Sequence, residues 1–195
     1  MENDNQQRVK SFYRILEEGV AKLPADVRGA LYRPCAVDCV KDDVLRELRR
    51  QFEECGRDLD RQYTKYGRSE YFFADIIEPG RVYEVGYPRC LCPQVDAGFV
   101  DSPAHCECSR QSILYVMEEL LPGKDIRVEE LETVLSGGRE CASGSLSGSS
   151  LRRLATPGAS GARALGAGMV AAQNKKIPKP MLRDFNRYSV AYAPA

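Results

Sequence analysis

Tyr71-Phe72-Phe73-Ala74-Asp75-Ile76-Ile77-Glu78-Pro79-Gly80-Arg81-Val82-Tyr83-Glu84-Val85-Gly86-Tyr87 is the stretch whose reading decides the fold. β-Branched and aromatic residues on either side of Glu78-Pro79-Gly80 predict strands near 71–77 and 81–87 joined by a tight turn, with a further short strand near 97–101. Eight of the sixteen aromatic residues fall between Tyr63 and Phe99, and Gly or Pro recurs there at Gly86-Tyr87-Pro88 and Cys92-Pro93. The sheet is therefore expected in this middle section.

Upstream, the spacing is helical. Val9, Phe12, Leu16, Val20 and Leu23 recur every three or four residues and predict one buried helical face over 8–23. A second helix is expected at 42–55, with Val44, Leu45, Leu48, Phe52 and Cys55 inward and Gly56 as its stop. Downstream, a helix at about 110–121 has Ser109 as its N-cap candidate and ends at Pro122-Gly123, followed by a strand from Ile126 to Leu135 that runs into a hairpin at Ser136-Gly137-Gly138. Helices first, then strands with one helix among them, is an α+β order, a small antiparallel sheet with a helix packed on it.

The chain has 195 residues with equal numbers of acidic and basic side chains, 28 of each, but they are unevenly placed. All the acidic residues except Asp184 precede Cys141, while residues 142–172 are mostly Gly, Ala and Ser with no aromatic residue and no acid. Such a stretch buries too little apolar surface to offset the entropy of ordering. The expected division is a cysteine-rich α+β domain over 1–141 and a basic, disordered Gly/Ala/Ser-rich tail over 142–195. Loss of the reading frame near Cys141 is an alternative reading of the same break. The tail's five Arg and three Lys lie scattered with Phe185 the one aromatic residue among them, a weak pattern for nucleic-acid binding.

No apolar run is long enough to span a bilayer, and Met1-Glu2-Asn3-Asp4-Asn5 lacks the charge and apolar stretch of a signal peptide, so a cytoplasmic location without membrane attachment is expected. In that compartment thiols stay reduced, and eight cysteines point to metal binding or thiol chemistry rather than to disulfides.

Cys90-Leu91-Cys92 and Cys106-Glu107-Cys108 form two Cys-x-Cys pairs separated by 13 residues. In extended segments residues two apart share a side, so each pair can offer both sulfurs to one metal, and four thiolates make a closed tetrahedral zinc shell. Cys90, Cys92, Cys106 and Cys108 are the expected ligands, with His105, Cys35 and Cys39 as possible additions. Four-cysteine shells also hold iron–sulfur clusters, and spacing does not separate the two. The rival readings are buried or redox-active thiols, and a cysteine nucleophile. For the last, Cys108 is the candidate, since it precedes the 110–121 helix, whose dipole favours a thiolate. A His105–Cys106 pair is geometrically poor, because neighbours on a strand point to opposite faces. Cys35 and Cys39 share one face if their segment is helical, as a second ligand pair, a redox couple or core. Phosphate-binding glycine loops, Gly-x-Ser-x-Gly elbows and His-Glu-x-x-His are absent.

Ser112-Ile113-Leu114-Tyr115-Val116-Met117-Glu118-Glu119-Leu120-Leu121, followed by residues 124–141, resembles the closing helix, strand and hairpin of the 4-vinyl reductase domain family and of the bacterial L-2-amino-thiazoline-4-carboxylate hydrolase-like family. Gly138 and Cys141 match the family's turn and closing cysteine. Glu132 stands near a position where those domains often carry a Cys, and Ala142 replaces the aromatic residue after the closing Cys. The resemblance implies a small-molecule-binding α+β module whose cysteines hold a metal.

Together these readings give a zinc-binding module with a Tyr- and Phe-lined pocket that binds or senses a small organic ligand. The alternatives are a cysteine- or metal-dependent hydrolase of a small C–N-bonded substrate, and an iron–sulfur or thiol redox protein.

Overall fold

A computed structural model describes residues 2–138 and the two strands Cys141–Ala142 and Ser189–Tyr192. Four helices come first: α1 (Glu2–Val20), α2 (Ala25–Val40), α3 (Asp43–Glu54) and α4 (Leu59–Tyr66). The hairpin β1 (Phe73–Glu78) and β2 (Val82–Tyr87) follows, then the short α5 (Pro93–Asp96), α6 (Cys106–Leu120), β3 (Ile126–Glu129), β4 (Cys141–Ala142) and β5 (Ser189–Tyr192). The architecture is α+β, as the order of elements predicts.

The hairpin forms where it is expected, with Phe73 opposite Gly86 and Ile76 opposite Tyr83, and Gly80 supplies the left-handed residue (φ 70°) of its turn. All strand pairs are antiparallel in the order β1-β2-β5-β3, and β4 pairs with β2 beyond the end of β5. The position beside β2 is thus shared by Cys141–Ala142 at Gly86-Tyr87 and by Ser189–Tyr192 at Val82–Glu84. Five residues of the segment expected to be a tail, Ala142 and Ser189–Tyr192, therefore belong to the sheet, while 143–188 and 193–195 lie outside the described residues.

The core sits between the sheet and the helices. Tyr83, Val85 and Tyr87 of β2 meet Ile113, Val116, Met117 and Leu120 of α6 and Leu45, Phe52, Leu59 and Tyr63 of α3 and α4. Tyr63 stands edge-on to Tyr83 with ring centroids 5.2 Å apart, and Phe72 lies 6.0 Å from Tyr87. These aromatic residues pack on one another as core rather than around a ligand. The Tyr83 hydroxyl, buried with its ring, donates to Asp60 over 2.7 Å.

Several local expectations are corrected. Most of the apolar stripe of the first helix faces outward: Val9, Phe12 and Leu16 are exposed, as is Ile15 beside them, while Val20 of the same stripe is buried next to Glu17. The reason is polar, since Glu17 is drawn in by hydrogen-bonding partners on α2 and before α6. The third helix begins at Cys106, so Ser109 lies inside it and not at its cap; Ser102 instead caps a 3-10 turn, Pro103–His105, that leads into α6. Residues 97–101 form no strand, because the carbonyl of Gln94 takes the amides of Phe99 and Val100 and Gly98 turns left-handed (φ 66°). The strand expected over 126–135 stops at Glu129, and Thr133 caps a 3-10 turn, Val134–Ser136, beyond it. Inward-facing Leu45, Phe52 and Cys55 agree with the reading of α3.

Candidate active site

Four segments converge around His105. The 3-10 turn capped by Ser102 holds His105 at the entrance to α6 and directs its ring toward the loop before α5. There Cys92 Sγ lies 3.5 Å from His105 Nε2. On the other side of the ring, Nδ1 lies 3.1 Å from Glu17 Oε1 of α1. Tyr32 of α2 donates its hydroxyl to both Glu17 oxygens, at 2.9 and 3.0 Å, and its ring meets His105 edge-on at 5.6 Å. Thiol, imidazole, carboxyl and phenol thus stand in one line.

The geometry assigns the protons. Nδ1–H donating to Glu17 leaves Nε2 facing the sulfur, as acceptor in the neutral ring or as second donor in the imidazolium. Burial of His105 opposes its charge, but hydrogen bonds to Cys92 and Glu17 prevail and raise its pKa to about 9. Burial likewise opposes the Cys92 thiolate, but His105 together with the backbone N–H groups of Val95 and Gln94 brings this thiol below its usual range. Burial first, and then Glu17, push the Tyr32 hydroxyl far above the phenol range, so it remains a donor. Cys92 is only half-buried, and its thiol donates to the side-chain carbonyl oxygen of Gln94 over 3.0 Å.

Cys108, the nucleophile candidate from sequence, has the opposite character. A hydrogen bond with Cys39 and burial, reinforced by Cys35 and Cys92, push its thiol far above the ordinary range. It lies in the first turn of α6. Cys90 shares the loop of Cys92, and burial raises its thiol. Cys106 is buried at 1% exposure, within electrostatic reach of Tyr32. The structure therefore brings Cys35, Cys39, Cys92, His105 and Cys108 into one neighbourhood, with Cys90 and Cys106 at its margins. Among the described residues no three His, Cys, Asp or Glu side chains form a group arranged to hold a metal ion.

A surface recess of about 580 Å³ lies between Lys10 and Arg14 of α1 and the loop of Gly98, Phe99 and Asp101. Gln7, Lys10, Arg14 and Glu17 follow one another every three or four residues, so Glu17 shares the helix face that lines the recess.

Glu17 and Tyr32 were not among the candidates from sequence, and neither was the pairing of His105 with Cys92. Glu17 carries a signal in retrospect, an acid three residues before Val20 and so on the face of the helix that Val20 buries. The pairing across 13 residues has none, since it depends on the turn that reverses the chain between them. The chain matches no protein-family model, no curated protein and no solved structure. No described helix is long and apolar enough to cross a membrane.

Proposed function

We propose that the protein is a cysteine-dependent hydrolase of a small substrate with a scissile C–N bond, with Cys92 as nucleophile, His105 as general acid and base, and Glu17 as the group that orients the imidazole. The observation that carries this reading is the line from Cys92 Sγ through His105 to Glu17. A nucleophile in hydrogen-bond reach of a base, itself held by a third group, is the arrangement that covalent catalysis requires.

In the first step the Cys92 thiolate adds to the electrophilic carbon, the C–N bond breaks, and the His105 imidazolium gives its Nε2 proton to the departing nitrogen. In the second, His105 takes a proton from water, the hydroxide adds to the same carbon, and the C–S bond breaks to return the thiolate. Lys10 and Arg14, which line the recess on the helix that carries Glu17, suit a substrate that carries a carboxylate. The resemblance of residues 112–141 to the thiazoline carboxylate hydrolase-like family supports the same substrate class.

The test is hydrolysis of a panel of small amides, amidines and thiazoline carboxylates by the full chain, followed by NMR, beside Cys92→Ser. Turnover lost in Cys92→Ser and kept in Cys55→Ser supports the reading; turnover unaffected by Cys92→Ser overturns it.

A second reading, a zinc-holding module that binds or senses a small molecule, is favoured by one observation: Cys35, Cys39 and Cys92 all act on Cys108. Stoichiometric zinc in the purified protein, lost in Cys108→Ser, would establish it; metal-free protein with full hydrolytic turnover would exclude it.

A further inference from the structure

We propose that Cys39 and Cys108 form a reversible disulfide, made by a peroxide-class oxidant, that ties α2 to α6. Among the described elements these two helices make the most extensive contact. Ala36, one turn before Val40, is fully buried in that contact and accepts a hydrogen bond over 3.3 Å from Ser112, one turn beyond Cys108. Ser112 also donates to the carbonyl of Cys108 itself over 3.1 Å, which fixes that turn against α2. This register brings the two sulfurs into hydrogen-bond contact. Cys39 is exposed and Cys108 half-buried behind it.

An oxidant therefore reaches Cys39 first. Its thiolate attacks one peroxide oxygen, the O–O bond breaks, and a sulfenic acid and hydroxide result. Cys108 then loses its proton to that hydroxide and attacks the Cys39 sulfur; the S–S bond forms, the S–O bond breaks, and the second oxygen leaves as water once protonated. Two thiols are oxidised and one peroxide is reduced to two waters. The link joins the helix of Tyr32 to the helix that His105 introduces, but it does not depend on the role proposed for Cys92.

The experiment treats the full chain with stoichiometric hydrogen peroxide, blocks remaining thiols with N-ethylmaleimide and maps peptides without reduction. A cross-linked peptide pair containing Cys39 and Cys108, reversed by dithiothreitol, absent in Cys39→Ser and retained in Cys35→Ser, is the expected result. Cys39→Ser changes an exposed residue and serves where Cys108→Ser does not fold. Linkage of Cys39 to Cys35 or Cys92, disulfides between two chains, or oxidation of Cys39 to sulfinic acid without a cross-link would each overturn the proposal.

Discussion

Burial alone would keep His105 neutral, yet it is flanked by a thiol and a carboxyl group, and the two neighbours outweigh the burial. The direction of each shift has a consequence for reactivity. A thiol paired with an imidazolium ionises at lower pH than a free one, so alkylation of Cys92 by iodoacetamide should exceed that of Cys90, Cys106 and Cys108 at neutral pH. His105→Gln removes the partner and should reduce the Cys92 rate by about tenfold or more, because a thiol near its ordinary pKa is only a few per cent ionised at pH 7. Glu17→Gln keeps an acceptor for Tyr32 but withdraws support from the charged ring, and a smaller loss is expected, read by the same peptide-resolved mass spectrometry. Equal labelling of Cys92 in wild type and His105→Gln would show that the contact does not activate the sulfur. The pH profile follows from the same pair. The proposed first step needs Cys92 deprotonated and His105 protonated, so kcat/KM should rise as pH passes the lowered thiol value and fall again through about 9, where His105 gives up its proton. In Glu17→Gln the alkaline limb should move to lower pH.

Among the elements, α4 depends on how closely its end is packed. At Gly67 a Cβ would lie 2.3 Å from the carbonyl oxygen of Tyr63 and 3.0 Å from that of Ala74, both backbone atoms that no side-chain rotation can relieve. Gly67→Ala should therefore destabilise by about 1–3 kcal/mol, the usual range for overpacking, measured as a lower urea midpoint at unchanged slope. Gly29→Ala is the contrast, since its Cβ would meet the Gln111 amide at 2.8 Å and the Glu107 carboxyl at 3.1 Å, side-chain groups that can shift, and a smaller loss is expected. These close contacts also explain which elements were legible in the sequence. The hairpin around Pro79-Gly80 and the stripe of α3 are written in residue types that act locally, so both were read nearly in place. The helix α2 was not, because its inward face is Gly29, Tyr32, Ala36 and Val40, two of them too small to register as apolar, and Pro34 interrupts its interior. The orientation of α1 was misread for a physical reason of the opposite kind: a carboxyl buried by hydrogen bonds outweighs four exposed apolar side chains. The candidate site was half legible, since the cysteine pairs and His105 drew attention to the right loops, while the contact of Cys92 with His105 is tertiary and leaves no local pattern.

At the scale of the whole molecule, the sheet is completed by residues distant in sequence. Ser189–Tyr192 pairs with β2 through Val82–Glu84 on one side and with all four residues of β3 on the other, so among the described strands it is the one that joins β3 to the hairpin. The same strand bears on the core, because Val128 of β3 is 4% exposed and its carbonyl receives Arg110 of α6 over 2.9 Å. A chain ending at residue 188 would leave β2 and β3 with open edges facing one another, and each backbone hydrogen bond so lost is worth about 1 kcal/mol net. The shortened chain should thus lose a few kcal/mol of stability by urea unfolding, with amide exchange accelerating first in Ile126–Glu129 and only modestly in α6, which keeps its packing on α2. The line of Tyr32, Glu17, His105 and Cys92 draws on α1, α2, the loop before α5 and the turn before α6, none of them in this sheet. Cys92 alkylation should therefore persist in the shortened chain below its unfolding midpoint, and its loss there would mean that the sheet and the site unfold as one unit.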